Sequence, residues 1–164
     1  MATTPTPTTR ELLRRLLTAE GQNRPARTVE LFGWLILCES VLIVFAPHLV
    51  ASLLHLPPFV DQGDHYFRLV GLLVGGLGIL YVVSGRLNSQ EFVLASLFDR
   101  PAVPLVMLVL WYLRIVPGAL AFAFSIQDGG SALWTWWARR EQSRAVPLDS
   151  GQRVPGGSTA VRDR

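Results

Sequence analysis

FRLVGLLVGGLGILYVVSGR, residues 67–86, is the stretch on which the fold turns. Its only charges are Arg68 and Arg86, near its two ends. A bilayer core about 30 Å thick needs about 20 apolar residues in a helix. Phe67 to Gly85 therefore reads as a membrane span. Within it, Arg68, Gly71, Gly75, Gly78, Val82 and Gly85 share one helical face, and Gly71 and Gly75 form a GxxxG pair. Small residues let two helices approach closely in lipid, so this face predicts a packing seam. Its glycines do not make a phosphate-binding loop, because no strand precedes them.

The same pattern recurs on both sides. From Leu31 to Leu56 the only formal charge is Glu39. Pro47 is expected to end or kink this first span, leaving a short interfacial helix over His48 to Leu56. Pro57 and Pro58 stop it, and Phe59 to Tyr66 reads as a loop carrying Asp61 and Asp64. On the other side, Arg86 to Arg100 reads as an amphipathic connecting helix with Phe92, Leu94 and Phe98 among polar neighbours. A continuous apolar stretch then runs from Pro101 to Ala138, broken by Arg114 and by Pro117-Gly118. It accommodates a third span over Pro101 to Ile115 and a fourth over Gly118 to Ala138. The third is short and implies tilt or local thinning. One long span ending near Phe124 with a re-entrant tail is the alternative.

The ends differ in character. Residues 1–28 are polar and lack the apolar core of a secretory signal. Thr8 and Glu11 have capping-box spacing. Leu12, Leu13, Leu16 and Leu17 then share a face, with Arg10, Arg14 and Arg15 away from it. This predicts an N-terminal amphipathic helix, lying on an anionic membrane surface or simply solvated. Trp134, Trp136 and Trp137 beside Arg139 and Arg140 mark a membrane–water interface. Residues 141–164 are rich in Pro, Gly, Ser and Arg and predict a disordered tail. The expected fold is all-α: a four-helix transmembrane bundle over 29–140, between an N-terminal cytoplasmic segment and that tail.

Composition agrees. Half of the 164 residues are hydrophobic and only 16% are charged. Soluble domains carry roughly 25% charge, so a soluble enzyme is disfavoured, and a disordered chain is excluded. The basic residues are all arginine, and their distribution explains a net charge of +3 without nucleic acid. They concentrate before residue 28 and after residue 138, with Arg86 and Arg100 in the middle connection. By the positive-inside rule both termini are expected in the cytoplasm of a cell with a plasma (inner) membrane. No nucleic-acid motif is present. The single cysteine, Cys38, rules out an internal disulfide or a CxxC site.

Four ionisable groups fall in or near the bilayer: Glu39, Arg68, Arg114 and Asp128. Such charges usually face the protein interior or a cavity. At a rise of about 1.5 Å per residue, Glu39 and Asp128 both lie near mid-membrane, roughly 13 and 16 Å from the charged residues nearest the membrane surface. Asp128 shares a small, polar face with Ala121, Ser125, Ser131, Ala132 and Thr135. Glu39 shares one with Leu35, Leu42 and Ile43, which predicts an apolar space beside it. Two readings follow. One is a structural network that fixes helix register. The other is a site in which Glu39 and Asp128 act as catalytic acid and base, and Arg68, Tyr81, Trp111 and Arg114 bind the ligand. A proton or ion pathway is a third. His48, His55 and His65 lie toward the opposite end, without a zinc spacing. GxSxG and HExxH are absent, so no metal or cofactor is implied.

From Phe67 to Ala138 the chain resembles small four-span bacterial inner-membrane proteins of the DoxX-like kind. The resemblance rests on residues 67–86 above, on DRPAVPLVMLVLW (99–111) and on IQDGGSALWTWWA (126–138). The matching positions are Arg68, Gly71, Gly78, Tyr81, Asp128 and Trp134. It implies a compact four-helix membrane bundle and a redox-accessory or small-ligand role. The lack of a cysteine pair argues against thiol redox chemistry.

The function expected from the sequence is an accessory or small lipophilic-ligand-binding membrane protein. The alternative is a membrane enzyme doing acid–base chemistry, an isomerisation or cyclisation, on an apolar substrate. Proton-linked transport is a weaker third, because four short spans leave little room for alternating access. The expected partners are the bilayer, a small apolar ligand, and a second copy or membrane protein on the Gly71/Gly75/Gly78 face.

Overall fold

The structure is a computed structural model that describes residues 8–145. Among the described residues all regular structure is helical. Six helices follow in order: α1 (Thr9–Thr18), α2 (Arg24–Phe45), α3 (Pro47–Leu53), α4 (Gly63–Arg86), α5 (Gln90–Tyr112) and α6 (Gly118–Ala145). The expected tail lies mostly outside the described residues.

Three helices, α2, α4 and α5, are long and apolar enough to cross a membrane. Their outward faces are unlike those of a soluble protein. Leu72 and Leu73 of α4 are 60% and 66% exposed, and Leu105 of α5 is 66% exposed. Apolar surface on this scale needs a cover, and a bilayer supplies it. α6 is longer, at 28 residues, but more polar.

Several boundaries differ from the sequence expectation. α2 begins at Arg24, inside the segment assigned to the N-terminal region. Asn23 caps it by accepting from the Ala26 amide at 2.8 Å, and Pro25 occupies its first turn. α2 ends at Phe45, two residues before Pro47, and the short helix expected over His48 to Leu56 is present as α3, starting on that proline and ending at Leu53. α4 begins at Gly63, within the expected loop. The largest correction concerns α5. The separate connecting helix and third span are one helix, with Pro101 and Pro104 inside it. Pro101 resembles a helix start in the sequence, yet proline is tolerated inside membrane helices when neighbours cover the freed carbonyls. This merger also removes the shortfall in length: 23 residues rise about 35 Å, enough to cross. The connection from α4 is reduced to Leu87–Ser89. Asn88 there has φ 59°, and Ser89 caps α5 through the Phe92 amide.

α2 is the hub. The glycine face of α4 packs on it, so this seam lies within the chain and is taken up by α2. A Cβ at Gly33 of α2 would lie 2.7 Å from the Val82 amide nitrogen and 2.9 Å from the Gly78 carbonyl. A Cβ at Gly85 would lie 2.7 Å from the Glu30 nitrogen. Ser40 adds a hydrogen bond, its hydroxyl donating to the Gly71 carbonyl at 2.8 Å. On another side of α2 lies α6, running antiparallel. Arg24 pairs with Glu141 at 2.9 Å, the Thr28 and Thr135 hydroxyls lie 2.9 Å apart, and Gln127 donates to Glu39 at 2.9 Å. α5 packs chiefly on α6. The start of α2, the end of α4, the start of α5 and the end of α6 therefore share one end of the molecule.

Candidate functional site

Three polar clusters lie along the hub helix. The first is near its start. Glu30 accepts from Arg86 Nε at 2.8 Å, from Gln22 at 2.8 Å and from the Trp34 indole at 3.2 Å. Gln22 also donates to the Gly85 carbonyl, and Arg86 donates to the Leu16 carbonyl at 2.6 Å. This cluster ties α1, α2 and α4 together where the glycines bring the backbones closest.

The second surrounds Arg100. The sequence reading puts this residue in a cytoplasmic connection. The structure instead buries it in α5 at 1% exposure. Its guanidinium carbon lies 3.9 Å from the Phe32 ring centre and 4.9 Å from that of Tyr81, and it donates to the Thr135 hydroxyl at 3.3 Å. Contact with two aromatic faces offsets part of the desolvation of a buried cation. Tyr81 is held edge-on by Phe32 and Phe92, and its hydroxyl donates to Asp99 at 3.3 Å. Four helices meet here: α2 through Phe32, α4 through Tyr81, α5 through Arg100 and α6 through Thr135.

The third cluster contains Glu39. This carboxylate is half-buried, and the Gln127 amide fixes it from α6. It borders an apolar cavity of about 200 Å³ lined by Leu42, Ile43, Leu53, Leu54 and Phe124. Leu42 and Ile43 are two of the residues that the sequence places beside such a space. Asp128 follows Gln127 and is half-buried. Its place on α6, between Gln127 of the third cluster and Thr135 of the second, sets it between the two. Ala121, Ala132 and Thr135 of its helical face are buried, so that face is turned to other helices.

Of the sequence-predicted site residues, Tyr81 thus stands in the second cluster, Glu39 in the third and Asp128 between them on α6, while the other three lie apart. Arg68 donates to the Val44 carbonyl and approaches Asp64 at 4.0 Å, at the far end of α4. Arg114 is exposed beyond the end of α5, with φ 55°. Trp111 is 52% exposed and borders a different groove of about 450 Å³ between α5 and α6, with Leu108 and Phe122. Sequence reasoning missed Arg100, Glu30 and Gln127. Compared with protein-family models, curated proteins and solved structures, the chain matches none.

Proposed function

We propose that this protein is a four-span membrane protein that holds a small lipophilic molecule beside Glu39. One observation carries the reading: a half-buried carboxylate, oriented by Gln127, borders an otherwise apolar cavity. The larger groove beside Trp111 has little polar lining and offers few groups to orient an occupant. Ligand sites combine an apolar wall with a few placed polar groups. At about 200 Å³ the cavity is below the usual range of roughly 300–1,000 Å³, which favours a small molecule or the end of a longer one. Glu39 would recognise a hydroxyl or another donor on it. Arg100 and the Glu30–Arg86 pair serve as structural anchors around the site.

The fourth crossing is α6, which is long enough for a bilayer and antiparallel to α2. Both termini and the Leu87–Ser89 connection then lie on one side, and the arginines near the chain ends favour the cytoplasm of the plasma membrane. Reporter fusions after Arg140 and at Asn88 should read cytoplasmic, and one at Asp61 external. An external reading after Arg140 would refute four crossings.

The ligand is tested by organic extraction and mass spectrometry of purified wild type, Glu39→Gln and Asp128→Asn, with melting temperatures measured in parallel. A discrete small molecule in wild type that is lost from a folded Glu39→Gln variant supports the site. Its retention in both folded variants refutes it. Asp128 stands next in the chain to Gln127, the residue that holds Glu39, and this favours a second reading, acid–base chemistry on that molecule. In that case Glu39→Gln or Asp128→Asn abolishes turnover in a folded protein.

A further inference from the structure

We propose that the cytoplasmic ends of α5 and α6 form a binding site for one anionic phospholipid, a reading that rests on the protein being embedded in a bilayer. A hollow of about 610 Å³ lies between the first half of α5 and the last turns of α6. Its walls are of two kinds. Leu94 and Phe98 of α5 line one part and are 45% and 74% exposed, leaving apolar surface open for an acyl chain. Arg139, Arg140 and Arg144 of α6 line the other, with Trp136 between the two kinds.

The charges identify the occupant. No carboxylate lines the hollow. Among the described residues Arg139, Arg140 and Arg144 form no salt bridge, while Glu141, on the same turn, is turned away to Arg24 at 2.9 Å. Three arginines on one patch, with no carboxylate partner among the described residues, favour an anion with several oxygens, which guanidinium groups bind in paired hydrogen bonds. The Arg140 guanidinium carbon lies 3.6 Å from the Trp136 ring centre, which restricts that side chain before any ligand arrives. Tryptophan beside arginine is the signature of the headgroup level, so the cationic part sits where phosphates lie and the apolar part where chains begin. A soluble phosphate would use only the arginines. A phospholipid uses both walls. Basic pockets between membrane helices on the cytoplasmic side recognise anionic headgroups in this way.

The test is native mass spectrometry of the full chain, released from mixed micelles holding equal amounts of phosphatidylglycerol and phosphatidylcholine. Wild type should retain one phosphatidylglycerol in preference to phosphatidylcholine, by at least fivefold. The triple variant Arg139→Gln/Arg140→Gln/Arg144→Gln should lose that preference. Phe98→Ala should retain less of both lipids. Excess inorganic phosphate should leave the adduct in place, whereas displacement by phosphate would show a simple anion site and overturn the proposal. Equal retention of both lipids by wild type, or an unchanged preference in the triple variant, would overturn it as well. A carbonate wash of membranes reports separately on embedding. A protein that is washed off refutes the membrane reading itself, and one that stays but shows no lipid preference refutes only this site. Circular dichroism confirms that each variant is helical.

Discussion

Gly33 and Gly76 both lie inside long apolar helices, and alanine at the two positions should have opposite effects. A Cβ at Gly76 meets nothing within 4 Å. Alanine there removes the backbone freedom of glycine and should stabilise the helix by up to about 1 kcal/mol. At Gly33 the same carbon would lie 2.7 Å from the Val82 nitrogen and 2.9 Å from the Gly78 carbonyl. Both are backbone atoms of α4, so no side chain can turn aside. The helices must separate, and the close contacts along the seam weaken together. Overpacking of this kind costs typically 1–3 kcal/mol, which exceeds the gain in helix propensity. The propensity gain is common to both variants, so they should differ by the overpacking term, about 1–3 kcal/mol. For a chain of this size that is a gap of roughly 2–12 °C in melting temperature. The assay is thermal unfolding in a mild detergent, followed by tryptophan fluorescence. Equal melting temperatures for Gly33→Ala and Gly76→Ala would refute the close approach of α2 and α4.

Two further changes probe the polar clusters. Glu30→Ala removes the acceptor shared by Arg86, Gln22 and Trp34 and should lower stability by about 2–3 kcal/mol, as loss of hydrogen bonds to a charged group does; a loss below about 0.5 kcal/mol in the same detergent melt would show that this cluster does not hold α2 to α4. Arg100→Lys keeps the charge but loses the planar group lying against Phe32 and Tyr81, whereas Arg100→Met fills the space without a buried charge. The lysine variant should melt below the methionine variant, and a lysine variant as stable as wild type would refute the stacked role of the guanidinium.

The features legible in the sequence are those with a local period. The glycine face of α4 and the small, polar face around Asp128 repeat at helical spacing, and both are turned inward in the structure. Gly33 and Ser40, the other half of the glycine seam, form no repeat of their own, so the partner helix was not legible. Glu30 and Arg86 are 56 residues apart in the chain, and no local pattern announces such a pair. Arg100 was hidden for a different reason. It stands directly before Pro101, and that proline imitates the start of a helix, so a buried core residue reads as the end of a connecting helix at the membrane surface. Arg68 and Arg114 read as ligand groups because they share a span with small residues or lie near its end. A backbone carbonyl and Asp64 hold the first, and the second lies past the last turn of its helix.

The packing around α2 also bears on how the chain is assembled as it leaves the ribosome. The α4 and α6 backbones do not pack on each other among the described residues, and those of α4 and α5 do so only slightly. The molecule is therefore two antiparallel pairs, α2 with α4 and α5 with α6, joined along one side of α2. The first pair is complete in the chain before α5 is made, with its own glycine seam and its Glu30–Arg86 lock. It can settle in the bilayer as a finished hairpin while synthesis continues. The second pair then arrives at a surface already carrying Phe32, Tyr81, Thr28 and Glu39, the residues its own Arg100, Thr135 and Gln127 will meet. In that order the cavity beside Glu39 is closed last, when Phe124 and Gln127 come up against α2.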